Sequence, residues 1–196
     1  ASYRLLEAAG EEGLVHVLSN LADALAFANR LEDAEPTARE AVQRALVTLG
    51  PEHRVTARAR AVLADVLRRT DRAAEARVLY EVSLATTQGV AGLERSHAMT
   101  QSAYGMCLLD LHEHDAAATQ LRAAADFLDP PTGPPTGEGV TARITLARAL
   151  HERGEEADAL IQIERALVAL DPDTNPTDPM VVLAKELRDA IVAADR

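Results

Sequence analysis

The chain has 196 residues, a formal net charge of −11, 3% aromatic residues and no tryptophan. This acidic balance excludes bulk binding of DNA or RNA, because neutralising phosphates requires an excess of Lys and Arg. The one cysteine, Cys107, excludes an internal disulfide and a cysteine-based metal cluster, and no apolar run reaches the ~18 residues of a membrane span, so we expect a cytoplasmic chain with no cofactor, membrane partner or nucleic-acid partner.

Internal repetition is the strongest pattern in the sequence. A large residue followed by a small one recurs about every 42 residues, at Leu21-Ala22, Leu63-Ala64, Tyr104-Gly105 and Leu146-Ala147. Later in each repeat come a leucine and, nine residues beyond it, an alanine, at Leu25 and Ala34, Leu67 and Ala76, Leu108 and Ala117, and Leu150 and Ala159. One such unit cannot bury its own apolar face and must stack on its neighbours, so the pattern predicts a solenoid.

Each repeat contains two stretches with apolar residues three and four positions apart, which predicts a pair of amphipathic helices. We predict first helices at 13–28, 54–69, 96–111 and 138–153, and second helices at 32–48, 73–87, 114–128 and 156–170. The corresponding repeats span 13–53, 54–95, 96–137 and 138–178, and a capping helix lies within 179–196. The whole chain, 1–196, is thus predicted to be a single all-α array.

Three segments depart from this frame. Residues 1–10 are predicted to be the end of a second helix, as the tail of an incomplete preceding repeat, which implies upstream sequence. Pro36 falls about one turn into a second helix and predicts a later start or a kink there. The Pro- and Gly-rich run 129–137 is predicted to be an exposed connector, and a spacer is favoured over a Pro-rich recognition motif because the repeat needs a loop at that point.

One frame position between the paired helices indicates how each hairpin turns. It holds the four residue types that best tolerate a left-handed backbone, at Asn29, Asp71, His112 and Gly154. We therefore predict that each first helix ends in a left-handed residue. The small residue of each large-small pair and the alanine of the second helix then allow the two helices to approach closely.

These features resemble the tetratricopeptide repeat, in the form of about 42 residues that kinesin light chains and many bacterial proteins contain. The resemblance also rests on Leu49-Gly50-Pro51-Glu52-His53, which is similar to that family's inter-repeat signature, and on a weaker echo at Ser96-His97. It implies a right-handed α-α superhelix of about four hairpins. The family's early aromatic position instead holds Leu18, Arg60, Gln101 and Arg143, and its closing proline is absent, so a HEAT-type helical solenoid stays open.

The resemblance also implies a concave groove, lined by the first helices, that receives extended or helical peptides. Among its positions in this sequence we single out His16, Asn20, Asp23, Phe27, Arg58, Asp65, Arg68, Arg69, Met99, Met106, Arg148 and His151. Arg58, Arg68 and Arg69 make one sector locally positive, which favours a partner peptide with acidic side chains or a free carboxylate. The alternative is that these arginines are solvated or paired with acids such as Asp65 and Asp71.

Three of these positions imply specific chemistry. Asn20 matches a position at which the family often uses an asparagine amide to bind peptide backbone. Met99 and Met106 share a helix face, which suits an adaptable apolar pocket, although core packing is the commoner reason for such spacing. The carboxylate clamp of chaperone-binding members does not carry over, because its Lys and Asn positions fall on Ser19, Asp23, Val62, Met99 and Ala103.

Motifs for catalysis are absent from the sequence, including a phosphate-binding loop, a nucleophile elbow and a metalloprotease motif. His112-Glu113-His114 lies at an inter-helix turn and is not expected to bind a metal, and Cys107 is predicted to be a buried thiol. We therefore predict a non-catalytic protein-interaction scaffold in a bacterial protein. The alternative is self-association, as a structural module of a larger multidomain signalling or regulatory protein.

Overall fold

The computed structural model describes residues 2–130, 135–171, 173 and 175–194, with side chains from residue 10 onward. The described residues contain helices and no strands. The helices are α1 (Ser2–Phe27), α2 (Leu31–Thr48), α3 (Arg54–Arg68), α4 (Ala73–Thr87), α5 (Glu94–Asp110), α6 (His114–Leu128), α7 (Gly137–Glu152), α8 (Glu156–Leu170) and α9 (Pro179–Ala194). They form two compact units, Ala1–Thr100 and Gln101–Arg196, and the division falls within α5.

The predicted helices agree with the observed ones to within about two residues at most ends, and the all-α fold class is confirmed. The start of the chain is the exception. Residues 2–10 do not form the end of a separate helix, because α1 runs without a break from Ser2 to Phe27. Neither Gly10 nor Gly13 breaks it, since glycine lowers helix stability by only about 1 kcal/mol and does not block the backbone hydrogen bonds. The repeat limits themselves stay a prediction.

In the first unit, α1 and α2 form a hairpin, α3 packs on both of them, and α4 pairs with α3. Small side chains make these contacts. Ala41 and Ala45 of α2 pack with Val15, Val55 and Ala59 in one buried cluster. A second cluster contains Ala26, Ala34 and Val66. Because the alanines have no bulk beyond Cβ, neighbouring helices lie close enough to exclude water without large aromatic side chains.

In the second unit, α6 packs on α7, α7 on α8, and α8 on α9. Two glycines mark close approaches. A Cβ at Gly105 would lie 2.8 Å from Cδ2 of Leu121, and a Cβ at Gly139 would lie 2.6 Å from Cβ of Asp129. The frame alanines predicted to sit at close helix contacts, Ala34, Ala76, Ala117 and Ala159, are all fully buried across the two units.

The predicted left-handed turns are confirmed in all four hairpins. The φ angles of Asn29, Asp71, His112 and Gly154 lie between 58° and 75°. In each turn the next residue donates its N–H to the carbonyl of the frame leucine five positions earlier (Leu25, Leu67, Leu108 and Leu150) at 2.8 to 3.0 Å. This is the Schellman arrangement, which satisfies carbonyls that the end of a helix leaves free.

The inter-repeat segments fix the starts of the first helices. Gly50 adopts a φ of 90°, and the ring of His53 caps α3 by accepting a hydrogen bond from the Val55 N–H at 3.3 Å. Thr136 caps α7, since its hydroxyl accepts from the Gly139 N–H at 3.1 Å. Of the predicted connector 129–137, residues 131–134 lie outside the described residues.

Pro36 does not delay the start of its helix, because α2 begins at Leu31 and contains the proline. The predicted burial of Cys107 is confirmed, with none of its surface exposed. Within the part of the chain that the structure describes, no helix has the length and apolar character needed to cross a bilayer.

Candidate functional site

Helices α1 and α3 lie side by side and bring five of the predicted groove residues together. Asn20 and Asp23 are three positions apart on one face of α1, and Arg58, Asp65 and Arg68 occupy the facing side of α3. We call these five residues the α1/α3 cluster. The contact between α1 and α3 is the one expected for the first helices of two neighbouring repeats.

Arg58 is the centre of the α1/α3 cluster. Its Nη2 donates to Oδ1 of Asn20 at 2.8 Å and lies 3.5 Å from a carboxylate oxygen of Asp23. Its Nε is buried and has no hydrogen-bond partner among the described residues, although 40% of the side chain is exposed. Next to Asn20, the hydroxyl of Ser19 is also buried and without a partner. Arg58 of the cluster and Ser19 beside it in the sequence therefore each have a buried polar atom without a hydrogen-bond partner among the described residues.

The charges of the cluster are balanced. Burial raises the pKa of the Asp23 carboxyl, the positive charge of Arg58 lowers it, and the negative charge of Asp65 raises it again. Arg68 pairs with Asp65 at 3.0 Å, so the alternative that Arg68 is paired with a nearby acid holds. Two carboxylates thus accompany Arg58 and Arg68, and the sector is less positive than its arginines alone indicate. Arg69, half-buried at the end of α3, forms no ion pair with described residues.

Three other predicted groove residues of the first unit do not join the cluster. His16 lies one turn before Asn20 and has Nε2 3.9 Å from Glu12. Phe27, at the end of α1, is 90% exposed. Met99 lies on α5 and is 41% exposed, so it is not a core residue within the described chain.

In the second unit, the predicted residues on α7 are paired with acids. Arg148 donates to Glu152 at 2.8 Å, and Nδ1 of His151 lies 2.6 Å from Glu156. Met106, on α5, is half-buried. Sequence reasoning missed that Nδ1 of His114 on α6 lies 2.8 Å from a carboxylate oxygen of Glu152 on α7, a contact without the geometry of a hydrogen bond. The sequence offered one signal for this contact, namely that His114 lies two residues after His112, the residue predicted to be left-handed.

A surface depression of about 630 Å³ lies beside His114 and Glu152. It is lined by His112, Glu113, His114, Asp115, Ala116, Glu152, Arg153 and Glu155. Its cation Arg153 already pairs with Asp115 at 3.0 Å and Glu155 at 2.7 Å. Among the described side chains, no group of three His, Cys, Asp or Glu residues has the geometry of a metal site. The depression is therefore lined by internally paired charges.

Two arginines at the family's aromatic position have structural roles that the sequence analysis did not assign. Nη1 of Arg60 donates to the Pro51 carbonyl at 2.7 Å, and Nη2 of Arg143 donates to the Asp129 carbonyl at 2.6 Å. Each arginine thus binds the segment that precedes its own helix. The signal was the recurrence of arginine at one frame position in two repeats.

Comparisons with known proteins agree with this geometry. Two models of the tetratricopeptide repeat match the sequence, one over residues 13–89 and one over residues 140–170, and together they span more than half of the chain. No curated protein matches the sequence.

Several solved structures share the fold. Kinesin light chain nearly identical TPR-like repeats from Podosopora anserina superpose with a TM-score of 0.77 at 15% identity, over 94% of this chain and 88% of the other. BtubC (BKLC) from P. vanneervenii superposes with a TM-score of 0.76 at 21% identity, over 99% and 81%. Pseudomonas Aeruginosa pilF gives 0.65 at 20% identity, over 94% and 78%.

The repeat frame, the four Schellman turns and the two family matches describe one architecture. Helical hairpins of the tetratricopeptide type, rather than of the HEAT type, account for all of them. The chain belongs to the tetratricopeptide repeat family.

Proposed function

We propose that the chain is a non-catalytic protein-interaction scaffold whose α1/α3 cluster binds an acidic segment of a partner protein. The observation that carries this proposal is the guanidinium of Arg58, whose side chain is 40% exposed and whose Nη2 donates to Asn20 at 2.8 Å. The exposed part of this guanidinium can donate to a ligand carboxylate, and a hydrogen bond to a charged group contributes about 1.5–3 kcal/mol.

Asn20 suits the backbone of an extended partner segment. Its side-chain oxygen accepts from Arg58 at 2.8 Å, which fixes the orientation of the amide. The NH₂ group of the same side chain is left to donate to a ligand carbonyl. The Arg58 hydrogen bond therefore prepares Asn20 for one role, and the binding step loses less side-chain entropy than it would with a free amide.

Arg58 of the α1/α3 cluster and Arg69, which follows the end of α3 outside the cluster, are the cations that we assign to the acidic groups of the partner. Arg69 has no competing carboxylate among the described residues. Arg58 lies 3.5 Å from Asp23, a distance that leaves room for a closer, charge-assisted bond to a ligand carboxylate. Arg68 contributes less to binding the partner, because it already forms an ion pair with Asp65 at 3.0 Å.

Binding to an array of immobilised peptides tests this assignment. Half of the peptides carry Asp and Glu with a free C-terminal carboxylate, and the matched half carry Asn and Gln with an amidated end. We expect binding to the acidic set only, and weaker binding as salt rises, because exposed ion pairs are screened. Substituting Arg58→Gln or Arg69→Glu should weaken the best peptide by about tenfold or more.

Arg122→Glu is the matched control, since Arg122 is an exposed arginine on α6, a second helix. It makes the same charge change as Arg69→Glu and should leave the affinity as it was. Circular dichroism must first establish that each variant is folded. If folded Arg58→Gln and Arg69→Glu variants both bind as tightly as the parent, the partner uses neither the α1/α3 cluster nor Arg69.

A further inference from the structure

Arg58 and Asp23 lie close together in the α1/α3 cluster without a direct hydrogen bond. Nη2 of Arg58 carries two hydrogens, and it donates one of them to Oδ1 of Asn20 at 2.8 Å. A carboxylate oxygen of Asp23 is 3.5 Å from the same nitrogen, which is longer than the usual hydrogen bond between ionised groups. The second hydrogen of Nη2 therefore has no close acceptor among the described residues.

A ligand carboxylate that accepts this second hydrogen must lie near Asp23. Its oxygen would be about 2.8 Å from Nη2, the usual length of a hydrogen bond between ionised groups. Because Nη2 is 3.5 Å from the Asp23 oxygen, the ligand oxygen can be no more than about 6 Å from Asp23. Two ionised carboxylates at this distance repel each other, and a proton on one of them removes the repulsion.

Asp23, rather than Asp65, is the carboxyl of the cluster that is suited to accept that proton. Asp65 accepts two hydrogen bonds from Arg68, at 3.0 and 3.3 Å, which stabilise its ionised form. Asp23 accepts no hydrogen bond from a residue that the structure describes. Burial raises the pKa of Asp23, Arg58 lowers it and Asp65 raises it, with a raised pKa as the result. A ligand carboxylate adds a further negative charge beside Asp23.

The other charged groups around Asp23 lie on α1 and on α2, which also packs on α1. His16 precedes Asp23 by about two turns of α1 and has Nε2 3.9 Å from Glu12. On α2, Glu32 is exposed. The remaining charged residues of α2 form ion pairs that do not include Asp23, namely Asp33 with Arg30, Glu35 with Arg39 and Arg72, and Arg44 with Glu40 and Glu11. The charges of α3 are therefore the ones that act on Asp23.

We propose that Asp23 couples the binding of an acidic partner to the uptake of one proton, an inference that rests on the function proposed above. A carboxylate of the partner accepts the second hydrogen of Arg58 Nη2, and a carboxylate oxygen of Asp23 takes a proton from the solvent. Protonated Asp23 no longer repels the ligand, and its O–H becomes a hydrogen-bond donor. Because binding takes up a proton, the affinity for the partner rises as the pH falls.

Calorimetric titration of the 196-residue chain tests this coupling, with the tightest-binding acidic peptide of the array as the probe. Asp23→Asn removes the charge permanently and should bind this peptide about fivefold more tightly than the parent at pH 7.5. At pH 5.0 the ratio of the two affinities should fall towards one, because the parent then binds with Asp23 protonated. The Asp23 side chain is 50% exposed and asparagine is isosteric with it, so the variant should fold, which circular dichroism verifies.

Proton uptake is measured by repeating the titration at pH 5.5 in two buffers with different enthalpies of ionisation. The parent should take up part of a proton for each peptide bound, and Asp23→Asn should not. Asp126→Asn is the matched control, since Asp126 is an exposed residue of α6, a second helix. It removes the same charge from the chain and should behave like the parent in both measurements.

The outcomes separate this inference from the function on which it rests. If Asp23→Asn and the parent bind equally at both pH values, while Arg58→Gln still loses affinity, Asp23 has no such role and the proposed function stands. Proton uptake that persists in Asp23→Asn also overturns the inference, because another group such as His16 then takes up the proton. If no acidic peptide binds to either chain at either pH, the inference and the proposed function are both wrong.

Discussion

Arg143 and Asp129 form a buried pair that attaches α7 to the end of α6. Nε of Arg143 donates to the Asp129 carboxylate, and Nη2 donates to the Asp129 carbonyl at 2.6 Å. The third nitrogen, Nη1, donates to Gln162 of α8 at 2.7 Å. The Arg143 side chain is 1% exposed and that of Asp129 is 10% exposed. One guanidinium therefore joins the end of α6, α7 and α8.

Arg143→Met should destabilise the second unit by about 3 kcal/mol or more, because it leaves the buried Asp129 carboxylate without its main partner. Urea unfolding followed by circular dichroism measures this loss. Arg148→Met is the control on the same helix, since Arg148 is 55% exposed and its ion pair should contribute about 0–1 kcal/mol. Adding Asp129→Ala to Arg143→Met should recover part of the stability. A double variant that is no more stable than Arg143→Met contradicts the pairing.

Gly139→Ala and Gly105→Ala should both destabilise the second unit, and Gly139→Ala should have the larger effect. A Cβ at Gly139 would lie 2.9 Å from the backbone carbonyl of Leu128, which cannot move without shifting α6. At Gly105 the obstacle is the side chain of Leu121, which can partly rearrange. We expect losses of about 1–3 kcal/mol by urea unfolding.

Gly13→Ala is the control for these two glycines, because an added Cβ there has open space around it. Within a helix, alanine in place of glycine should stabilise the chain by about 0.4–1 kcal/mol. Equal effects of all three substitutions would show that helix propensity, rather than close packing, determines the stability at Gly105 and Gly139.

Ala76→Leu and Ala117→Leu should each lower stability by about 1–3 kcal/mol, because the added side chain does not fit between close helices. Both alanines are fully buried, in α4 and α6 respectively. Ala74→Leu places the same side chain on an exposed position of α4 and should be nearly neutral. Thermal melts decide the comparison, and buried variants that melt like Ala74→Leu would mean that these alanines do not face a close partner.

Local patterns in the sequence were sufficient to predict the helices and their turns. The left-handed position at Asn29 and its three counterparts follows from residue type and repeat frame, both of which are local. The burial of the paired alanines could be predicted in the same way, because the position of an alanine in the repeat determines which face of its helix it lies on. The continuous α1 was not predicted, because two glycines within four residues are equally compatible with a helix end and with an exposed helix interior.

Side-chain pairing could not be predicted to the same extent, because it depends on how two distant helices meet. Arg58 was assigned to the groove from its frame position, but its bond to Asn20 joins residues 38 positions apart. The partner of Arg143 lies in an irregular segment whose path no periodicity defines. An arginine on an amphipathic helix is usually exposed, so the burial of Arg60 and Arg143 required knowledge of the preceding segment.

His97 gives the first unit a pH-dependent stability. Its Nδ1 lies 2.8 Å from the hydroxyl of Thr87, and burial lowers the pKa of its imidazole below 6.5. A histidine with a lowered pKa in the native state binds fewer protons there than in the unfolded state, so its contribution is present above pH 6.5 and is lost as the pH falls below it. Arg39 lowers the pKa of the Glu35 carboxyl, and Arg72 lowers the pKa of the Glu75 carboxyl. These two carboxyls therefore change the stability of the first unit only below pH 4.5.

We therefore expect the urea midpoint of the parent chain to fall between neutral pH and pH 5. His97→Asn should flatten this dependence, because its amide oxygen can replace Nδ1 as the acceptor for Thr87 but does not titrate. His16→Asn is the control, since the His16 side chain is 44% exposed, and it should leave the pH dependence of the parent unchanged. If the midpoint of His97→Asn falls with pH as steeply as that of the parent, another group is responsible and burial of His97 does not control the stability of the first unit.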